Sequence, residues 1–113
     1  METVFDAILA RKISCKPVYE DDTVLAFHDI KPVAPVHVLV IPKKKFHSFA
    51  ELSSGEDAYV GDYMKKIAHV ATVLGLDETG YRVVFNHGLH GAQTVAYVHA
   101  HILGGRMLEW PPG

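Results

Sequence analysis

Gly91-Ala92-Gln93-Thr94-Val95-Ala96-Tyr97-Val98-His99-Ala100-His101-Ile102-Leu103-Gly104-Gly105-Arg106 opens as a loop and closes as an alternation. Side chains along a strand point to opposite faces in turn. Tyr97, His99 and His101 therefore share one side, and Val98, Ala100 and Ile102 the other. Same-side neighbours on a strand stand about 6.6 Å apart, so the two imidazoles can flank a single phosphate. The same His-x-His spacing also suits two solvent-side histidines on a half-buried strand, or a pair of zinc ligands. Gly104 and Gly105 end the strand.

Outward from this strand, Tyr81 to Asn86 is β-branched and aromatic and reads as a second strand, joined to the first through the glycine-rich loop Gly88 to Gly91. Before it, Glu56 to Leu74 carries Tyr59, Tyr63, Ile67, Val70 and Leu74 at helical spacing, which predicts a long helix ended by Gly75, with Ser53-Ser54 offered as its cap. Phe46 to Leu52 suggests one helical turn, and Lys43-Lys44-Lys45 a solvated strand exit. His37 to Ile41 is an apolar strand stopped by Pro42, and Pro32 and Pro35 make Ile30 to Pro35 a stiff loop before it. Thr23 to Asp29 pairs with Val18-Tyr19 across the acidic turn Glu20-Asp21-Asp22. Thr3 to Ala10 is a short amphipathic helix that Thr3 caps. Strands outnumber helices without βαβ alternation, which predicts an antiparallel α+β fold in a single domain over 1–113.

Composition narrows the function. A net charge of -2 and a pI near 6.4 give no broad basic footprint for nucleic acid or an anionic membrane, so a small ligand is expected. Cys15 stands alone, which excludes an internal disulfide or a thiolate metal cluster and suits a reducing compartment. No signal-peptide core opens the chain and no apolar run is long enough to span a bilayer; a cytoplasmic or nuclear protein is expected. Eight histidines are the unusual feature, because imidazole serves near neutral pH as base, nucleophile or ligand.

The Gly91–Arg106 stretch closely resembles the signature of the histidine-triad (HIT) family, in which three histidines alternate with apolar residues. Leu25-Ala26-Phe27-His28-Asp29-Ile30, Ala34-Pro35-Val36-His37, Val40-Ile41-Pro42-Lys43-Lys44 and the terminal Trp110-Pro111-Pro112-Gly113 resemble, in order, the branch called histidine triad nucleotide-binding (HINT) proteins. Tyr97 stands where the motif has its first histidine. The resemblance implies a five-stranded antiparallel sheet with two main helices, paired as a two-fold homodimer. Residues 107–113 would form an arm that carries Trp110 toward the neighbouring site.

It also implies a reaction: hydrolysis of a purine nucleoside phosphoramidate to the nucleoside monophosphate, for example AMP, through a nucleotidyl-histidine on His99. That ring's second nitrogen would donate to the backbone carbonyl of Tyr97, which no side-chain change removes. His101 and the backbone amides around Ala92, Gln93, Thr94 and Val95 would donate to the phosphate, and the Thr94 hydroxyl would hand a proton to the leaving group. Asp29 would hold the ribose, with Val4, Phe5, Ile8, Phe27, His28, Ile30 and Leu39 walling the base. Asn86 would reach the phosphate or a neighbouring loop, and His37 would support the motif from behind. No metal and no cofactor is called for. His47, His69, His87 and His90 are read as surface or loop residues. Rival readings are a dinucleotide polyphosphate hydrolase of a sister branch and a nucleotide-binding regulatory or scaffold protein with weak catalysis.

Overall fold

A computed structural model describes residues 1–113. Its elements are α1 (Val4–Leu9), β1 (Pro17–Glu20), β2 (Val24–His28), β3 (Val36–Pro42), a 3-10 turn (Ala50–Ser54), α2 (Asp57–Val73), β4 (Arg82–Phe85) and β5 (Ala100–Gly104). The strands form one five-stranded sheet in the order β1-β2-β3-β5-β4, every neighbouring pair antiparallel. The α+β expectation holds, with two helices on one antiparallel sheet. No helix is long and apolar enough to cross a membrane.

Register decides which residues meet. Phe27 pairs with Leu39, and Leu39 with His101, so the odd-numbered residues of β2, β3 and β5 share a face. On the even-numbered face Val24, Ala26, Val38, Val40, Ala100 and Ile102 pack under Tyr63, Ile67, Val70 and Ala71 of α2, and the Tyr63 hydroxyl donates to the Val40 carbonyl at 2.7 Å. On the odd-numbered face Leu25, Phe27, Leu39, Ile41 and Tyr97 pack under Phe5 and Ile8 of α1.

Three expectations shift. The last strand enters the ladder at Ala100, not Tyr97. The Lys43 amide donates to the carbonyl of Thr23, just before β2, so the adjacent Pro42 faces β5, and it has no N–H to extend that ladder. Ser53 and Ser54 do not cap α2, because their hydroxyls turn back onto the Ala50 and Glu51 carbonyls within the 3-10 turn; Glu56 is the N-cap, without a side-chain bond. The Lys43–Lys45 run is not simply solvated: Lys43 pairs with Glu20 and Lys45 with Asp6, each at 2.8 Å. Thr3 caps α1 as expected and does so reciprocally, since the Asp6 carboxylate accepts from the Thr3 amide at 2.7 Å. Burial alone would raise the Asp6 carboxyl, but bonds from Lys45 and Thr3 outweigh it and bring its pKa down to about 2.

Candidate active site

His37 from β3, His99 immediately before β5 and His101 within β5 meet on the α1 face. His99 and His37 are only 6% and 5% exposed. The His99 and His101 rings lie 5.0 Å apart between centroids, and those of His37 and His101 lie 5.2 Å apart.

Fixed backbone donors and acceptors decide where the protons sit. His99 Nδ1 is 2.7 Å from the Tyr97 carbonyl, which can only accept, so Nδ1 carries the proton and Nε2 keeps its lone pair. The Val33 amide can only donate, and it lies 3.1 Å from His37 Nδ1, so the neutral His37 ring is protonated on Nε2. Val33 itself is held by Arg106, whose guanidinium donates to its carbonyl at 3.2 Å. His37 Nε2 then donates to His101 Nδ1 at 2.9 Å, which places the His101 proton on Nε2. That Nε2 is buried and has no partner in the chain. A single backbone amide thus orders two rings, ending in a donor.

Burial keeps these rings neutral. It pushes the His101 imidazole down to about 4, and the positive charges that His99 and His37 would carry act in the same direction. Burial also lowers His99, against the opposing bond to the Tyr97 carbonyl, and lowers His37, against the opposing charge of Asp29. Asp29, His37 and His101 place their ligand atoms within 4.8 Å of one another. With the Val33 amide on its Nδ1, however, the neutral His37 ring has no Nε2 lone pair for a metal ion, and the trio reads as a hydrogen-bond relay.

The other predicted residues divide. Asp29 is half-buried; it accepts from the Lys31 amide at 2.8 Å and lies 3.3 Å from His37 Nε2, so it is both a strand-end turn former and a neighbour of the relay. Phe5, Ile8, Phe27 and Leu39 pack together behind the histidines, with the Phe5 ring 4.9 Å from that of His99, while Val4, His28 and Ile30 are exposed at the rim. Asn86 is resolved toward the loop, donating to the Gly91 carbonyl at 2.7 Å. Gln93 and Ala92 need a correction: their backbone N–H groups already donate to the Gly88 carbonyl at 3.0 Å and the Leu89 carbonyl at 3.1 Å, so neither amide is free for a phosphate. The Gln93 side chain ties the loop together, accepting from Gly88 N and donating to the His47 and Val95 carbonyls. Thr94 and Ala92 are exposed on this loop and Val95 is half-buried. His47, His69, His87 and His90 are all exposed, as read.

The sequence reading missed Val33, Lys45 and the Pro42 carbonyl, two of which act through the backbone and carry no side-chain signature. Two clefts of about 560 and 350 Å³ lie along the C-terminal arm beside Arg82 and Arg106, and none of the three histidines lines them.

A family profile described as HIT domain matches residues 10–108. The chain belongs to the HIT family. It is 46% identical over 112 residues to an uncharacterised HIT-like protein of Synechococcus elongatus, covering 99% of this chain and 97% of the relative. It is 40% identical over 114 residues to a protein of Arabidopsis thaliana named adenylylsulfatase HINT1, covering 98% of this chain and 76% of the relative. The structure of a HIT family hydrolase from Legionella pneumophila superimposes with a TM-score of 0.93 at 38% identity, covering 99% of this chain and 100% of that one. The five-stranded sheet and two helices are thus the HIT fold.

Proposed function

We propose that this HIT protein is a nucleotide hydrolase of the HINT branch that cleaves purine nucleoside phosphoramidates. The observation that carries the reading is the His99 Nδ1 bond to the Tyr97 carbonyl at 2.7 Å, which leaves Nε2 unprotonated on a ring that burial keeps neutral. Nε2 attacks the α-phosphorus, the phosphorus–nitrogen bond breaks, and the amine leaves with a proton supplied by the Thr94 hydroxyl. Water then adds its hydroxyl to phosphorus and breaks the phosphorus–Nε2 bond, its remaining proton restoring the Thr94 hydroxyl, and the nucleoside monophosphate and the free imidazole are released.

Charge on the phosphoryl oxygens is met by the His101 Nε2 proton, a buried donor otherwise without an acceptor, and by the loop amides of Thr94 and Val95, since those of Ala92 and Gln93 are already bonded within the loop. His37 holds His101 in the donor tautomer. Asp29 takes the ribose hydroxyls, and Phe5, Ile8, Phe27 and Leu39 back the base, with Val4, His28 and Ile30 at the rim.

The test is intact mass after acid quench of a reaction with an adenosine phosphoramidate. A nucleotidyl adduct is expected, absent in His99→Ala, with turnover falling at least about 10⁴-fold in that variant. Retained turnover in His99→Ala ends the reading. Diadenosine polyphosphate in parallel separates the sister-branch reading. Adenylyl sulfate belongs in the panel because the Arabidopsis relative is named adenylylsulfatase. Nucleotide binding without turnover of any of the three favours the regulatory or scaffold reading.

The chain is further proposed to act as a homodimer in the cytoplasm or nucleus. β4 is an edge strand with exposed Val83, and the arm beside it carries Trp110, 79% exposed, over Arg82. A monomer in sedimentation equilibrium would remove that part of the proposal.

A further inference from the structure

Tyr97 precedes His99 by two residues on the same face, yet its side chain stays out of the imidazole row. His101 takes its Nδ1 contact from His37, and neither ring bonds to the phenol. The phenol, only 1% exposed, turns instead to the exit of β3 and donates its O–H to the Pro42 carbonyl. Its ring meets Phe5 edge-on at 6.0 Å, and Phe5 in turn meets the His99 ring at 4.9 Å. Lys45 stands 5.8 Å from the Tyr97 ring centroid while donating to Asp6 and to the Met1 carbonyl, each at 2.8 Å.

The same segment also grips the peptide. The peptide group between Tyr97 and Val98 gives its N–H to the Phe46 carbonyl at 2.7 Å, and its C=O receives the His99 Nδ1 proton at 2.7 Å. A peptide engaged at its N–H is polarised into a better acceptor at its C=O. Residues 42–46 therefore hold residue 97 by the tip of its side chain and by its backbone, and residue 97 holds His99.

We propose that Tyr97 is a positioning residue for His99: the bond from its phenol to the Pro42 carbonyl locks the peptide that keeps His99 protonated on Nδ1 and free on Nε2. Its catalytic half rests on His99 being the nucleophile, as proposed above; its tautomer half does not depend on turnover. An imidazole is shorter than a phenol and does not span the same gap to Pro42, so at this position tyrosine acts as a strut that a third histidine would not reproduce.

Three measurements on the full chain test this. In the wild-type protein the Tyr97 hydroxyl proton gives a slowly exchanging NMR resonance, and its absence overturns the proposal without any variant. In Tyr97→Phe, which keeps the ring and removes only the hydroxyl, side-chain ¹⁵N NMR shows His99 as a mixture of tautomers while His101 is unchanged. A His99 ring that stays wholly Nδ1-protonated overturns the proposal, because a purely packing role would lower the melting temperature and leave the tautomer alone.

On adenosine phosphoramidate, kcat of Tyr97→Phe falls about tenfold with KM nearly unchanged. Tyr97→His, which restores three imidazoles, also falls; a rise in its kcat overturns the proposal in favour of a relay through this position. A tautomer shift with unchanged kcat removes the catalytic half. A tautomer shift in a protein whose wild type does not turn over removes the hydrolase reading and leaves the positioning in place.

Discussion

On the α2 face of the sheet, Ala100 and Ile102 lie in a cluster of fourteen buried residues roofed by a helix of seventeen. On the opposite face, His101 from the same strand and His99 just ahead of it lie beside a cluster of seven, roofed by a helix of six. At about 1.5 Å per residue the first helix runs about 25 Å and the second only about 9 Å. The long helix closes its face with apolar side chains, and the short one leaves part of its face to imidazoles. Neighbouring residues in one strand thus answer to different demands. One face supplies cohesion, and the other holds polar rings in fixed protonation states that cohesion alone does not require.

The comparison is tested most strongly at Ile102, which is wholly buried on the α2 face. Ile102→Ala removes apolar contact and leaves a cavity that packed neighbours close only in part, so unfolding free energy should drop by about 4 kcal/mol. Turnover below the melting range should be almost unaltered. Urea denaturation together with kcat measures both; a large loss of kcat in a folded variant would show that the faces are coupled and not divided.

Much of this division was legible in the sequence. The alternation from Tyr97 to Leu103 assigned the histidines to one face, and the helical spacing of Tyr63, Ile67 and Val70 assigned the roof of the other. Periodicity is a property of side chains, so it reports which way they point. The partner of each imidazole was another matter. The Val33 amide orders His37 and the Phe46 carbonyl braces the peptide behind His99, and backbone groups are the same whatever residue carries them. Lys45 was hidden differently: within a run of three lysines nothing marks the one that folds back to Asp6.

Acid should affect the histidine face first. The His101 pKa lies at about 4 in the folded chain, below the 6.5 of a free imidazole, because the fold buries it neutral. As pH falls below 6.5 the unfolded chain takes up that proton before the folded one does. The stabilisation present above 6.5 is therefore lost progressively toward about 4, amounting to about 2 kcal/mol by about pH 5. His101→Asn keeps an acceptor for His37 Nε2 and removes the titration. Urea melts at about pH 7 and pH 5 should show a smaller acid loss in the variant than in the wild type; equal losses would mean that His101 is not held neutral. For the same reason the acid limb of kcat/KM should lie below pH 6.5, where His99, lowered by burial, loses its lone pair.

The smallest effect sharpens the comparison at the loop leading into the histidine strand. Ala92 has φ of 59°, in the left-handed region, where an L-residue is strained by about 1 kcal/mol. Its surroundings leave little room to relax. A Cβ at Gly91 would lie 2.3 Å from the His87 carbonyl oxygen, Asn86 holds the Gly91 carbonyl, and Gln93 ties the next residues to His47 and Val95. Ala92→Gly relieves the strain but gives the unfolded chain more freedom, and the two terms partly cancel. A net gain of about 0.5 kcal/mol is expected, read as a rise of about 2 °C in melting temperature. Any gain places the strain in the loop that serves the histidines, whereas none of the fourteen buried residues of the α2 face has a positive φ. A fall would mean that the Ala92 methyl contributes packing that outweighs its backbone strain.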